Sequence, residues 1–591
     1  MNYPRTWNLS SVYPSVNDQT FTADVEKIEQ AIQPLLDQAK QLPVSPVSPK
    51  PWEQFYRSQE EFALLMSQLW VYVNCLSSAD TDNTVYPALL GKFSAISARA
   101  SEVEIAVKQK LKELSDEQYE SLIQSSPELT TIRFSLDETR AQAAKMMDTS
   151  RETLASQLSV DGITAWGRLY TKLSGSLKVQ VMEKGRLVSK SVSQVRTDSP
   201  EPTVRQNNFY AADTAWQSIQ DSCAAALNHI AGTRLTLYKN RGYDHFLDKP
   251  LADNRLQRES LNAMWQTVTD RKAMLIPYLQ AKANILGLEK LSWYDQVAPL
   301  GSGKISFDAA AQTIIEQFGA FNPEMGDFAA HALKNGFVES EDRSGKRPGA
   351  YCTKFSQRKE PRVFMTFNDT YDAMSTLAHE LGHAYHGYVL KDQPYPLQTY
   401  VMSTAETAST FAEEIITDYL VANAPTREQR LSMLDKSLAD AMVMMMNIHS
   451  RFIFESNFYS AREKGELRVE ELNDMMLAAQ KEAYLDQLGE YDPRFWANKL
   501  HFYISGLSFY NFPYTFGYLF STGLFARAKQ EGPSFAQTYR EILLATGCMS
   551  TEDVIASTLG QDIRTQDFWN GSMDLIEARV QEFVRLSKQG D

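Results

Sequence analysis

Within TLAHELGHAYHGY, residues 376–388, His379 and His383 stand four apart, with Glu380 beside the first. On a helix, residues i and i+4 share a face, so two imidazoles can be aimed at one metal ion. Glu380 sits one position round the helix, where it can reach a metal-bound water rather than the ion. Two neutral imidazoles leave Zn²⁺ strongly Lewis acidic, and the pKa of bound water falls to about 7. A carboxylate can then take the proton and pass it to a leaving amine. Catalytic zinc usually takes three protein ligands and a water. A third ligand is offered by STAETASTFAEEIITDYL, residues 403–420, which reads as a second helix. Glu406, Thr410 and Glu413 fall on one face of it. Glu406, in a stretch of small residues, is the expected third ligand of a His₂Glu site holding one zinc per chain. Glu413 is a candidate to hydrogen-bond a histidine, though Glu413 and Glu414 also fit a solvated face. His386 is read as a packing or hydrogen-bonding residue, not a ligand.

The elements around these residues follow from periodicity. From about residue 20 to 180, apolar residues recur at three- and four-residue steps, as in DVEKIEQAIQPLLDQAKQL and EQFYRSQEEFALLMSQLWVYVNCL. ETRAQAAKMMDTSRETLASQL predicts a further single helix. GSLKVQVMEKGRLVSKSVSQV alternates and turns at Lys184-Gly185, the signature of a hairpin. The polar, proline-bearing RTDSPEPTVRQ, 196–206, marks a domain boundary, with an N-terminal helical domain over 1–195 and a catalytic domain over 196–591. Two short aromatic and β-branched runs, GAYCTKF and PRVFMTFN, flank the turn SQRKE. They predict a small antiparallel sheet, and PRVFMTFN is a candidate edge strand for pairing with an extended peptide. NDT, 368–370, supplies N-cap residues for the histidine helix. The fold class is therefore mostly α.

Composition narrows the function classes. The 591 residues are 43% hydrophobic, enough for a large core, and carry a formal charge of −14. With no basic patch of size, nucleic-acid binding is not expected. The four cysteines have no C-x-x-C spacing, so neither a disulfide framework nor a thiolate zinc cluster is expected. No signal-peptide core and no run of 18 apolar residues is present, so no membrane partner is expected and a cytoplasmic location is. The Met-rich ADAMVMMMNIHSRF suggests a buried helix with His449 structural. His229, His245 and His331 lack ligand-spaced partners. EDRSGKRPG, 341–349, reads as a solvated turn.

TLAHELGHAYH, AETASTFAEE and HFYISGLSFYNFPYTFGYL (501–519), in that order, resemble the thimet oligopeptidase family of zinc metallopeptidases, and most nearly its bacterial oligoendopeptidase F branch. GITAWGRLYTKLSG (162–175) and LYKNRGYDHFLDKPLADNRL (237–256) extend the resemblance over most of the chain. It implies a mostly helical, two-lobed bowl with a deep channel, and endoproteolysis of short peptides. It also implies His379, His383 and Glu406 as zinc ligands and Glu380 as base. In the third block, Tyr510, Tyr514 and Tyr518 recur every four residues, and from the residues alone they fit an aromatic core stripe as well as oxyanion donors. The resemblance implies that His501 and one or more of these tyrosines lie near the scissile carbonyl.

The expected activity is thus zinc-dependent hydrolysis of internal bonds in short peptide substrates. Two alternatives remain at this level. A zinc carboxypeptidase on a similar helical fold would need a cation for the substrate carboxylate, which the sequence does not place. A non-catalytic zinc-binding scaffold would more usually have four protein ligands. Cleavage preference and oligomeric state are not encoded legibly.

Overall fold

The computed structural model describes residues 2–183, 185–195, 199–301 and 303–588, and helices dominate it. Three long helices open the chain: α1 (Gln19–Lys40), α2 (Pro49–Ala79) and α3 (Val85–Glu113). They pack on one another. α2 is long and apolar enough to cross a membrane by composition. Its Trp52, Phe55, Leu69 and Val73 are instead buried in two N-terminal cores. The stretch expected as one helix around 138–158 is two, Arg133–Ala144 and Thr149–Asp161. Asp148 is the reason, because its side chain accepts from the Arg151 amide at 3.0 Å and starts a new helix.

α4 (Ile163–Ser176) leads into a hairpin of β1 (Lys178–Glu183) and β2 (Arg186–Ser191), paired antiparallel with Glu183 opposite Arg186. Gly185 takes the positive φ of the turn, and Lys184 lies outside the described residues. So do residues 196–198 of the expected domain boundary, and a helix already starts at Pro202. The largest core takes in Tyr3 and then residues from Ile163 to Leu586. It draws Ile163, Tyr170 and Leu177 from before that boundary, so α4 packs with the C-terminal part of the chain.

The second sheet has three strands in the order β3 (Val338–Glu339), β5 (Glu360–Phe364), β4 (Tyr351–Phe355). β4 and β5 form the expected antiparallel hairpin, with Cys352 opposite Val363. β3 adds a short parallel strand that the sequence pattern did not signal. β5 is therefore the middle strand, not an edge, and its hydrogen-bonding sides are both used. The edge open to a ligand belongs to β4. The N-terminal residues back this sheet: the Ser340 amide donates to the Arg5 carbonyl at 2.7 Å, and Trp7 packs on Phe364. Phe355 at the end of β4 is buried in an N-terminal core, which locks the sheet to α1 and α2.

Behind the sheet lie α5 (Tyr371–Leu390) and α6 (Met402–Ala422), followed by α7 (Ile448–Arg462), α8 (Phe512–Glu531), α9 (Phe535–Ala545) and α10 (Gln566–Ser587). α6 packs between α5 and α8 in the two most extensive helix contacts of the molecule. This layering positions the site.

Candidate metal centre and active site

α5 begins as the sequence predicts. The Thr370 hydroxyl caps it by accepting from the Ala373 amide at 3.1 Å. Leu377, Ala378, Leu381 and Ala384 are buried, so the helix is fixed in rotation and His379 and His383 point the same way. Gly382 lets α6 come close. A methyl there would stand 2.5 Å from the Ala408 carbonyl oxygen and 2.7 Å from the Ser409 Cα. Gly517 does the same from α8, where a Cβ would meet the Glu406 Cβ at 3.0 Å. The small residues flanking Glu406 and these two glycines thus place one carboxylate between two helices. The Ser521 hydroxyl reinforces this by donating to the Glu406 backbone carbonyl at 2.9 Å.

Glu406 Oε2 lies 3.4 Å from His379 Nε2 and 3.5 Å from His383 Nε2. These three residues form a group whose ligand atoms all fall within 4.8 Å of one another. The two rings are nearly perpendicular, 4.7 Å between centroids. His379 Nδ1 and Glu413 Oε1 are 2.5 Å apart, and Glu413 Oε2 accepts from Ser375 at 3.0 Å. The carboxylate fixes the His379 tautomer with the proton on Nδ1, so the Nε2 lone pair faces Glu406. A carboxylate behind a histidine is the usual support of a metal ligand. Burial alone would lower the pKa of His379, but Glu413 and Glu406 push it up. Burial and the neighbouring His379 push His383 down.

Glu380 is buried, and its Oε2 has no hydrogen-bond partner among the described residues. Burial, then the Glu406 and Glu413 charges, raise its pKa to about 7, against a lowering by His379. An orphaned carboxylate oxygen beside two imidazoles and a second carboxylate matches what a divalent cation and its water would satisfy. The donor set of two nitrogens and one oxygen suits zinc. The residues present therefore fit the ion.

The group opens into a cavity of about 690 Å³ lined also by β4 (Cys352 to Lys354), Gln398, Tyr400 and Tyr510. Tyr510 is the expected tyrosine that the structure brings to this wall. His501 packs edge-on against it, 4.9 Å between centroids, and Tyr514 packs against both rings. Burial raises the Tyr514 pKa, so its hydroxyl stays protonated. Tyr518 is elsewhere. It is buried beside Glu414, Arg579 and Thr522, as a core residue of α8. The helix starting at Phe512 turns it away from Tyr510, which precedes that helix.

His501 is held by Asn511, whose Oδ1 accepts from Arg451 Nη1 at 3.0 Å and faces His501 Nδ1 at 2.7 Å. An oxygen that already accepts from a guanidinium must accept from the imidazole too. The proton sits on Nδ1, and the neutral ring presents Nε2 as an acceptor. Burial, Arg451 and Lys499 lower its pKa, which favours that neutral form.

His386 is fully buried, stacked on Tyr400 at 3.9 Å with Nε2 2.8 Å from Thr546 Oγ1. His449 stacks on Trp265. Both are buried in the packing, His386 as the packing residue expected and His449 in the Met-rich helix expected to hold it. Sequence reasoning missed Tyr400, Asn511 and Arg451. Only Asn511, beside Tyr510, carried a positional hint.

The profile of Peptidase family M3 matches residues 195–575, and that of Oligopeptidase F matches residues 110–178. The chain is 23% identical to an oligoendopeptidase F homolog of Lactococcus lactis, over 99% of this chain and 98% of the relative. It is 24% identical to the group B oligopeptidase PepB of Streptococcus agalactiae, over 99% and 97%. Among solved structures, oligoendopeptidase-F from Enterococcus faecium superposes with a TM-score of 0.72 at 20% identity, covering 96% of this chain and 99% of that one. A Chlamydophila abortus structure reaches 0.85 at 21%, covering 98% of both. The chain belongs to peptidase family M3.

Proposed function

We propose that this peptidase is a zinc-dependent endopeptidase of short oligopeptides, with His379, His383 and Glu406 as metal ligands. The observation that carries the reading is the meeting of those three donors beside the unpartnered Glu380 oxygen, at the floor of one cavity. Zinc held there supplies Lewis acidity to a peptide carbonyl and lowers the pKa of water. Glu380 acts as the base that takes the proton of the attacking water and returns it to the leaving amine. Its raised pKa suits both halves of that transfer. Glu413 holds His379 in the ligating tautomer. Tyr510, on the cavity wall, donates to the developing oxyanion, and Tyr514 supports it. His501 Nε2, as an acceptor, orients Tyr510 or a substrate amide.

The free edge of β4 along the cavity takes an extended substrate by backbone pairing, which makes binding depend little on sequence. Action in a reducing compartment is supported by four unpaired cysteines. The test is an internally quenched peptide blocked at both ends, digested by wild type and by Glu380→Gln, with zinc measured on the same samples. The proposal expects internal cleavage by wild type. It expects normal zinc and a large loss of turnover in the variant. Normal turnover in a zinc-loaded Glu380→Gln protein would remove the base from the mechanism. Failure on blocked peptides, beside release of single residues from free ones, would make it a carboxypeptidase.

A further inference from the structure

We propose that a second cavity, behind His501, binds the free C-terminal carboxylate of a peptide substrate through Lys499 and Arg451. The inference rests on the peptidase reading above and adds the part of the substrate that is read away from the scissile bond.

The cavity measures about 400 Å³, and its wall includes Asn447, Arg451, Asp492, Arg494, Phe495 and Lys499. Arg451 is 8% exposed. Its Nε and Nη2 donate to Asn447 Oδ1 at 2.9 and 2.7 Å, and Nη1 donates to Asn511 Oδ1. Every one of these acceptors is a neutral amide oxygen. The Lys499 ammonium makes no hydrogen bond or ion pair among the described residues. Its ammonium lies 4.7 Å from the Phe495 ring, which the Arg451 guanidinium also approaches at 5.2 Å. Two cations thus share one ring without a carboxylate partner.

Several buried cations of this protein are paired with carboxylates, while Arg234 and Lys272 are held by neutral oxygens. Arg205 meets Asp295 at 2.8 Å, Lys282 meets Asp435 at 2.9 Å, and Arg579 meets Glu414. A buried charge without an anionic partner is costly, and here the buried Arg451 and the half-buried Lys499 both line a cavity that an anion can enter. The acids of the wall do not supply it. Asp213 is bound to Arg494. Asp492 accepts from Asn498, and burial pushes its pKa up to about 7, which weakens its charge at neutral pH. Burial and the Arg451 charge push the Lys499 pKa down to about 8, and the attraction of Asp492 does not offset them.

An ammonium and a guanidinium side by side suit a carboxylate. His501 alone stands between Arg451 and the Tyr510 wall of the catalytic cleft. Arg451 Nη1 is 3.5 Å from His501 Nδ1, and the His501 ring packs on Tyr510, which lines the cleft with His379, His383 and Glu406. Only the chain end offers a carboxylate in every peptide whatever its sequence. Engaging it at a set distance from the scissile bond favours short substrates over long ones, while leaving blocked peptides cleavable at higher KM.

The test uses zinc-loaded Glu380→Gln protein, so that binding is read without turnover. An N-acetylated heptapeptide is titrated as the free acid, as the C-terminal amide, and as an amide with glutamate near its end. The free acid should bind about tenfold or more tightly than the plain amide. Adding Lys499→Gln should erase that difference, and Lys499→Arg should restore most of it. Equal binding of acid and amide, or a difference that survives Lys499→Gln, overturns the proposal. Glutamate-bearing amide that binds as tightly as the acid overturns the assignment to the chain end. Wild type that binds the acid preferentially but hydrolyses neither peptide would sink the peptidase reading and leave the carboxylate site standing.

Discussion

Replacing Gly382 by alanine adds one methyl at the crossing of α5 and α6, and the structure fixes what it meets. The new Cβ would lie 2.5 Å from the Ala408 carbonyl oxygen, 2.7 Å from the Ser409 Cα and 2.9 Å from the Ala412 Cβ. Two of the three are backbone atoms of α6, which cannot swing aside. Relieving the closest contact, from 2.5 Å to the 3.4 Å of ordinary packing, parts the helices by about 0.9 Å. Alanine gains about 1 kcal/mol of helix propensity over glycine, but overpacking a tight crossing costs about 1–3 kcal/mol. Net stability therefore falls modestly and the protein stays folded. Metal binding suffers more. His379 and His383 ride on α5 while Glu406 rides on α6, two residues before Ala408. Ligand distances must hold within about 0.2 Å, and the separation is several times that. The expected result for Gly382→Ala is zinc affinity down by at least tenfold, with a melting temperature only a few degrees lower. Competition with a chelator measures the first, and thermal unfolding of metal-free protein the second. A variant that keeps wild-type zinc affinity would refute the claim that this crossing sets the ligand spacing.

Other outcomes follow from the same geometry. Glu413→Ala frees the His379 ring and should cost about 10–100-fold in metal affinity or activity, while Glu413→Asp recovers part of it; unchanged affinity in the alanine variant would show that the 2.5 Å contact does not orient the ligand. Tyr510→Phe should lower kcat about 10²–10³-fold with little change in stability. Tyr518→Phe should do the reverse, since its hydroxyl is buried beside Glu414 and Arg579; matching kcat losses in the two variants would contradict their placement. His449 is held neutral, its pKa pushed down to about 3 by burial and by Lys272. The unfolded chain binds a proton there below about pH 6.5 and the folded chain does not, so stability present above that pH is lost as pH falls toward 3. His449→Gln should flatten that part of the stability profile, as read by denaturant unfolding at pH 7 and pH 5.

The site was legible in sequence where its chemistry obeys local geometry. The i, i+4 spacing of His379 and His383 and the Thr370 cap depend on one helix, and both appear as read. Glu406 and Glu413 were legible because a helical period of 3.6 puts them on one face. The glycines that draw α5, α6 and α8 together have no periodic signature, since their effect depends on residues more than 20 positions away. The identity of the edge strand was not legible either. Which of two paired strands lies in the middle depends on a third, and β3 is two residues long. Tyr518 was misdirected by its four-residue spacing from Tyr514: both lie on α8, but one turn further along the helix Tyr518 is buried beside Glu414 and Arg579. The uncompensated Arg451 could not be seen, as only a folded chain shows that a cation lacks an anion.

The most direct test is equilibrium zinc binding to metal-free wild type, His383→Ala and Glu406→Ala, with circular dichroism to verify the fold of each. The account predicts one equivalent bound tightly by wild type and a loss of at least tenfold in affinity for either variant. Tight, stoichiometric binding by the folded Glu406→Ala protein would contradict a centre built from His379, His383 and Glu406.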